Sequence, residues 1–173
     1  MNNLVYIVDT GNNLIRVVNR TDGIIKTFAG NGKFSNQSGD GELATHLYLN
    51  LPKDIAIDNA RNLVYIADTN NNVIRIVNTT NGVISTFAGQ YQKAGFSGDG
   101  NLANKALLNQ PYSVQYDSAH DLLYIADNGN LVLRVVNQKT GIITTFTKTL
   151  GFYISPIWLL VTPNPSGNTG LQF

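Results

Sequence analysis

The side chains best suited to chemistry recur along the chain as acid–base pairs. Each pair combines an aspartate at the end of one short apolar run with an arginine inside the next run. Such residues can form an ion pair across a hairpin, or the carboxylate can accept hydrogen bonds from turn N–H groups. Because the pair occurs three times at a period of 59 residues, we predict a structural role in holding hairpins. The pairs are Asp9 with Arg16, Asp68 with Arg75, and Asp127 with Arg134.

A second polar pattern, Ser-Gly-Asp-Gly, occurs at residues 38–41 and 97–100. Its oxygen atoms are of the kind that bind cations, but each loop has one carboxylate, and Ca²⁺ takes roughly six to eight oxygen ligands. We therefore interpret the pattern as a turn. Because equivalent loops of a repeat protein gather on one face, we also predict a partner-binding rim there. Its proposed members are Ser38, Asp40, Ser97 and Asp99.

Other candidate catalytic residues are isolated in the sequence. His46 and His120 have no second histidine at helical or hairpin spacing, and no Ser-His-Asp pattern, P-loop or HExxH motif is present. The chain has no cysteine, which excludes disulfides, thiolate metal ligands and a cysteine nucleophile. We accordingly predict no catalytic residue, no metal site and no cofactor.

Short apolar runs separated by Asp-, Asn- and Gly-rich turns must position these groups. Runs such as 4–9 and 14–19 are too short and too rich in β-branched residues for helices. They are apolar at successive positions, which predicts strands covered on both faces. Hairpin-length links predict antiparallel neighbours. With a further strand introduced by Pro52 or Pro111, each repeat is predicted to hold four antiparallel strands.

The long connection before each complete repeat is predicted to contain a short helix. Residues 42–49 have the composition for one or two helical turns, with Asp40 as a cap. In the next copy of this connection, apolar residues fall on one helical face. Those residues are Leu102, Ala103, Ala106 and Leu107.

Four short strands that are apolar on both faces are what a β-propeller blade needs, since each blade is packed between two others. A β-solenoid is the competing architecture, but its coils are usually shorter and lack internal hairpins. Over residues 3–147 the chain resembles the NHL repeats of β-propellers. The matching text is Tyr-Ile-Ala-Asp-Thr-x-Asn-Asn-x-Ile-Arg, then Gly-x-Ile-x-Thr-Phe-Ala-Gly, a Gly-x-Ser-Gly-Asp-Gly loop, and Leu-x-x-Pro before the following repeat.

This resemblance implies an all-β, NHL-type β-propeller. Most members have six blades and bind proteins, RNA or other ligands, while a minority of related propellers are metal-dependent enzymes. We predict about three four-stranded antiparallel blades, at residues 4–30, 52–89 and 111–147, with the first lacking its opening strand. Residues 157–161 are a candidate closing strand. The propeller segment is assigned to residues 1–162, and residues 163–173 to a flexible C-terminal tail.

Closed propellers have about four to eight blades. Three blades therefore predict either a partial propeller whose missing blades lie in a longer chain, or half of a six-bladed ring completed by a homodimer. We favour the longer chain.

We predict a non-catalytic binding scaffold that contacts proteins, or other ligands, through interblade loops. One alternative is a metal-dependent propeller lyase or hydrolase, for which the opening strands offer Asp54, Asp58, Ser113 and Asp117. Another is an RNA-binding NHL domain, but a net charge of +1 makes nucleic acid an unfavourable partner. Recurrent aromatic residues are assigned to packing between blades instead of base stacking. They are Tyr6, Tyr65, Tyr124, Phe28, Phe87 and Phe146.

Neither a signal peptide nor a membrane-length apolar run is recognisable, so we expect no membrane insertion. The sequence indicates no particular compartment. N-glycosylation sequons are present at Asn19, Asn36 and Asn78.

Overall fold

The computed structural model describes residues 3–33 and 39–147. Within these ranges the regular elements are strands and single turns of 3₁₀ helix. Ser38, the candidate closing strand at 157–161 and the tail at 163–173 lie outside the described residues. The strands are β1 (Leu4–Asp9), β2 (Leu14–Asn19), β3 (Ile25–Ala29), β4 (Pro52–Asp58), β5 (Leu63–Asp68), β6 (Val73–Asn78), β7 (Ile84–Ala88), β8 (Pro111–Asp117), β9 (Leu122–Asp127), β10 (Val132–Asn137) and β11 (Ile143–Thr147).

The strands form three antiparallel sheets, which confirms the predicted all-β blades. Blade 1 has the order β1-β2-β3, blade 2 the order β4-β5-β6-β7, and blade 3 the order β8-β9-β10-β11. Residues 59 apart hold the same register, since Tyr6 pairs with Val17 just as Tyr65 pairs with Ile76. Among the described residues, blade 1 has three strands, of which β1 is the equivalent of β5.

Blade 2 is packed between the other two blades, and its alternating side chains serve two hydrophobic cores. One face, with Val64 and Ile66, packs against Ile15 of blade 1. The opposite face, with Tyr65 and Ala67, packs against the core of blade 3. This alternation explains why the sequence is apolar at successive positions. We call the two contacts seam 1–2 and seam 2–3.

Each central hairpin closes through a single 3₁₀ turn followed by a residue in the left-handed region. That residue is Asn13 in blade 1, Asn72 in blade 2 and Leu131 in blade 3, with φ of 57°, 58° and 55°. Asn tolerates this conformation, whereas a bulky apolar residue there is strained. Gly89, which follows β7, also has positive φ, and a Cβ at this position would lie 2.5 Å from the Asn72 carbonyl oxygen.

The predicted short helices do not form. The connections contain only the 3₁₀ turns Ala44–His46 and Ala103–Lys105, and no side chain caps either turn. The preceding backbone instead pairs with the outer strand of the following blade. Gly41 N–H donates to the Ile84 carbonyl at 2.9 Å, and Gly100 N–H donates to that of Ile143 at 2.8 Å. The prediction was wrong because backbone groups of the connection form hydrogen bonds with the edge of a strand. Groups bonded in this way are not available for the hydrogen bonds of a helix.

Candidate functional site

The recurrent arginines lie at a β-bulge in every blade. The pairing register shifts immediately before Arg16, Arg75 and Arg134, at the point where each central strand meets the outer strand. A bulge twists the strand locally and re-aims the side chain. Neighbouring residues cover the side chains of Arg75 and Arg134 completely.

Each buried arginine meets the aspartate of the long loop that precedes its own blade. Arg134 Nη2 lies 2.6 Å from Asp99 Oδ1, while its Nη1 lies 3.5 Å from Asp127 Oδ2. In blade 2, Arg75 Nη2 lies 2.9 Å from Asp40 Oδ1. The Thr86 hydroxyl accepts from Arg75 at 2.9 Å and donates to Asp40 at 3.1 Å. The proposed rim aspartates are therefore ion-paired to the proposed hairpin arginines.

The hairpin aspartates hold the segment that leads into each blade. Asp127 accepts the Asn109 N–H at 2.7 Å and the Asn130 side-chain amide at 2.7 Å. In blade 2, Asp68 accepts the Asn50 N–H at 2.8 Å in the same way. Burial raises the pKa of both carboxyl groups, against the opposing effect of these hydrogen bonds and the nearby arginine. The pKa of Asp68 reaches about 6.

The loop aspartates are more exposed than the arginines they bind. The side chains of Asp40 and Asp99 are each 43% exposed. Desolvation acts to raise the pKa of Asp99, but hydrogen bonding and the charge of Arg134 outweigh it, so the pKa lies below its usual value. The loop is thus fixed at its base by a charged carboxylate that remains accessible to solvent.

Aromatic residues of the second long loop cover the same arginines. The Phe96 ring centroid lies 5.1 Å from Arg134 Cζ, and the Tyr91 centroid lies 5.8 Å from Arg75 Cζ. Both distances allow a cation–π attraction. Phe96 is nevertheless 50% exposed, and the neighbouring Ser97 is exposed as well. The Phe96 ring and Ser97 are therefore exposed to solvent. The base of their loop is held in place by the ion pair with Arg134.

Blade 1 assembles only part of this arrangement. Arg16 Nη1 lies 4.0 Å from Asp9 Oδ2, and both side chains are 27% exposed. Among the described residues, no loop carboxylate completes this pair in the way that Asp99 completes the pair in blade 3.

Hairpin residues also make hydrogen bonds across both seams, which sequence reasoning did not identify. The Thr10 hydroxyl donates to the Pro52 carbonyl at 2.7 Å, and the Thr69 hydroxyl donates to that of Pro111 at 2.8 Å. The Asn72 side-chain carbonyl accepts the Gln110 N–H at 2.9 Å. The recurring Asp-Thr-x-Asn-Asn text contained the signal, because polar side chains repeated at one position indicate a repeated contact.

A further polar network at the opposite edge joins blades 2 and 3. Arg61 binds both oxygens of Asp121, at 2.8 and 2.6 Å, and also Asp58 and the Tyr116 hydroxyl, each at 2.8 Å. The hydrogen bond from Arg61 is the largest cause of the lowered pKa of Asp121. This network could not be found from the period, because the residue equivalent to Arg61 in blade 3 is His120. His120 instead contacts Asp117 at 2.7 Å.

The carboxylates considered for a metal centre have other partners. Asp54 Oδ2 accepts the Ser113 hydroxyl at 2.6 Å and the Val114 N–H at 3.0 Å. Asp58 and Asp117 accept N–H groups of their own turns. No group of three or more His, Cys, Asp or Glu residues within residues 3–33 and 39–147 is arranged to hold a metal ion.

The helices in the described part of the chain are too short and too polar to cross a membrane.

The repeat text and the sheet geometry are shared with known proteins. No protein-family model matches the chain. It is 34% identical over 147 residues to NHL repeat-containing protein 2 of Bos taurus, a match that covers 82% of this chain and 20% of that protein. The chain belongs to the NHL-repeat β-propeller family. It spans a fifth or less of the length of the curated relatives that it matches.

Solved structures of β-propeller proteins share the fold. An auxiliary nutrient binding protein from Bacteroides ovatus superposes with a TM-score of 0.59 at 22% identity, covering 84% of this chain and 35% of that one. A chain of a nidogen/laminin complex superposes with a TM-score of 0.57 at 13% identity, covering 84% of this chain and 44% of that one. At these identities the likeness shows the fold alone.

Proposed function

We propose that this NHL-repeat chain is a non-catalytic binding scaffold that contacts a protein partner through its long interblade loops. The observation that carries the proposal is the way the loop preceding blade 3 is built. Asp99 holds its base to the buried Arg134, while Phe96 exposes half of its surface above that arginine. A fixed base reduces the entropy lost on binding, and an exposed aromatic ring supplies contact area.

Two further observations support a binding role. Asp54, Asp58 and Asp117, which a metal-dependent enzyme would use, already accept hydrogen bonds within the protein. One structural neighbour was solved as part of a nidogen/laminin complex. For this chain we propose protein binding through the loop rim.

The direct test is site-specific photo-crosslinking in extracts of the organism that encodes the chain. A photoreactive phenylalanine would replace Phe96 on the rim or, as a matched control, Thr80, which is exposed in a turn at the opposite edge. We expect one discrete protein adduct from position 96, weakened by Asp99→Asn, and no such adduct from position 80. Equal labelling from both positions, or an adduct from position 80 alone, would contradict a rim-binding role.

We also infer that the open face of blade 1 takes a further blade. Val5, Ile7 and Ile25 are 44%, 41% and 50% exposed, although their equivalents in blades 2 and 3 are fully buried in the seams. The additional blade would come from a longer chain, which we favour, or from a second copy that completes a six-bladed ring. Light scattering on a size-exclusion column separates them, since a monodisperse dimer indicates a second copy and a monomer indicates the longer chain.

A further inference from the structure

The long loop before blade 2 adds a short extended segment to the outer edge of that blade. The Gly41 N–H donates to the Ile84 carbonyl at 2.9 Å, and the Ile84 N–H donates to the Glu42 carbonyl at 3.0 Å. The Ala44 N–H donates to the Gly82 carbonyl at 2.9 Å. These backbone hydrogen bonds extend the sheet beyond its last strand, β7.

The loop before blade 3 repeats this arrangement on β11. The Ile143 N–H donates to the Asn101 carbonyl at 3.0 Å, and the Ala103 N–H donates to the Gly141 carbonyl at 2.9 Å. The same edge is thus filled in the same way in both complete blades. The two segments share the pattern Asp-Gly-x-Leu-Ala, at residues 40–44 and 99–103.

The leucine and the aspartate of each segment also make defined contacts. Leu43 lies against Gly82, where an added Cβ would be 3.5 Å from the Leu43 Cδ2 atom. Leu102 lies against Gly141 in the same way, at 3.3 Å. The aspartate that starts each segment forms the ion pair with the buried arginine of its blade. Each segment is therefore held by its backbone, its leucine and its carboxylate.

In blade 1 the equivalent edge, along β3, is open. No segment of the described part of the chain pairs with the Ile25 backbone as the two loops pair with β7 and β11. A Cβ added at Gly23 would meet no atom within 4 Å. Ile24 is 51% exposed, whereas its equivalents Val83 and Ile142, which pair with the leucines of the two segments, are more buried. We call this surface the blade 1 edge.

The blade 1 edge includes the side chains that can hold a carboxylate. Arg16 and Thr27 lie one period before the arginine and threonine that bind Asp40 in blade 2. Arg16 Nη1 lies 4.0 Å from Asp9 Oδ2, and its Nε donates to the Lys26 carbonyl at 3.4 Å. Within the described ranges, these contacts leave most of the five guanidinium N–H donors for an incoming carboxylate.

We propose that the blade 1 edge binds an extended polypeptide segment with the pattern Asp-Gly-x-Leu. The segment's backbone pairs with Ile25 by strand addition, and its leucine lies against Gly23. Its carboxylate binds Arg16 and Thr27. The polypeptide that covers the open face of blade 1 supplies the segment, so the proposal deepens the inference of a further blade and rests on it.

A second copy of this chain does not fit as the source of the segment. The chain contains Asp-Gly-x-Leu twice, at residues 40–43 and 99–102, and both segments are already seated on their own blades. The occupant therefore belongs to polypeptide outside these 173 residues. Of the two sources considered for the further blade, the longer chain is the one that fits.

The test is an NMR titration of the full chain with a capped peptide that has the sequence of residues 38–46, Ser-Gly-Asp-Gly-Glu-Leu-Ala-Thr-His. We expect saturable shifts at Ile25 and at the Arg16 Nε–H, with a dissociation constant of about millimolar order. The equivalent amides of Ile84 and Ile143 should not shift, because their edges are filled. Shifts that do not saturate, or equal shifts at all three isoleucines, would overturn the proposal.

A peptide with asparagine in place of its aspartate tests recognition of the carboxylate. It should bind the unmodified chain roughly fivefold more weakly, because it cannot form the ion pair. Arg16→Met should weaken binding of the aspartate peptide by the same factor and remove the difference between the two peptides. Arg20→Met, at an exposed position in the next turn, is the matched control and should retain the difference. A preference for aspartate that persists in Arg16→Met would exclude Arg16 as the binding group.

The source of the segment is tested by mass spectrometry of the native protein. A native chain that continues beyond these 173 residues and carries a third Asp-Gly-x-Leu segment supports the proposal. A native chain without such a segment would contradict the longer chain as its source. A dimer in which the Ile25 amide is protected from hydrogen exchange before peptide is added would also overturn the proposal, because a second copy would then fill the edge.

These outcomes are distinguishable from failure of the rim proposal. Arg16→Met should leave the crosslink from position 96 unchanged, since the two sites lie in different blades. A crosslink from position 96 without peptide binding would overturn the edge proposal alone. Peptide binding without that crosslink would support the edge and contradict the rim as the main contact surface.

Discussion

Blades 1 and 2 have nearly the same sequence but very different surroundings. The text Leu-Val-Tyr-Ile opens both β1 and β5, at residues 4–7 and 63–66. Val5 and Ile7 are 44% and 41% exposed, whereas Val64 and Ile66 are fully buried. The difference arises because blade 2 has a neighbour on each face and blade 1 has one described neighbour.

The same contrast applies to the charged pair. Arg134, with Asp127 and Asp99 around it, is fully buried, while Arg16 has Asp9 at 4.0 Å and is partly exposed. A buried cation is tolerated only when carboxylates and hydrogen bonds replace its hydration. The long loop before a blade is thus a structural requirement for burying its arginine. The stability of a repeat therefore depends on its neighbouring blades and on the loop that precedes it.

The largest difference should appear when the arginine is removed. Arg134→Met leaves Asp127 buried without its cation, and we expect a loss of about 4 kcal/mol in the free energy of unfolding. Arg16→Met removes a partly exposed pair and should cost less than about 1 kcal/mol. Urea denaturation measures both. A similar loss in the free energy of unfolding for the two substitutions would contradict the proposed difference between an enclosed and an open blade.

A slightly smaller difference is expected from the apolar faces. Ile66→Ala creates a cavity in seam 1–2 and should lower the free energy of unfolding by roughly 3 kcal/mol. Ile7→Ala removes the equivalent side chain from an exposed face and should cost less than about 1 kcal/mol. Chemical denaturation at a concentration where the chain is monomeric provides the measurement. Equal losses would show that the face of blade 1 is covered in solution.

The buried aspartate of blade 2 should make stability depend on pH. Its pKa is about 6 in the folded chain, above the value of about 4 for an unfolded aspartate. The folded state therefore holds the proton more tightly, so this contribution is full below about pH 4 and is lost as the pH rises through 6. From pH 4 to 7 the unmodified chain should lose up to about 3 kcal/mol more than Asp68→Asn. Parallel pH profiles of the two proteins would contradict this assignment.

The smallest expected effect concerns the hairpin of blade 3. Leu131 occupies the left-handed position that Asn72 occupies in blade 2, with φ of 55°, and is 54% exposed. Leu131→Asn should stabilise the chain by roughly 1 kcal/mol because asparagine tolerates this conformation. The reverse change, Asn72→Leu, should destabilise it, since it also removes the acceptor for Gln110. Thermal unfolding of both variants tests the pair, and a destabilising Leu131→Asn would contradict the strain.

Much of this fold could be predicted from the sequence because its repeat is regular. The period located the strands, and the alternation of seams explains why residues such as Val64 and Tyr65 are both apolar. The period could not identify contacts between residues that are far apart in the sequence. Asp99 pairs with Arg134 through a loop that runs along β11, and a linear pattern contains no register for such a contact. Helical spacing of Leu102 and Ala106 was misleading because the backbone there pairs with a strand edge.

The site was predictable only where the repeat is faithful. Recurrent aspartates and arginines were identified, but Arg61 was not, because its equivalent in blade 3 is His120. Differences between copies become informative only when the structure shows which side chains face each other.

Native-state hydrogen exchange on the monomeric chain tests most directly the claim that neighbouring blades determine stability. The amides of β5 and β6 are enclosed between two seams, whereas those of β1 belong to an edge strand with one exposed face. We predict that hydrogen-bonded amides of β1 exchange at least about 100-fold faster than their equivalents in β5, a difference of roughly 3 kcal/mol in opening free energy. Equal protection of β1 and β5 in a confirmed monomer would contradict the account.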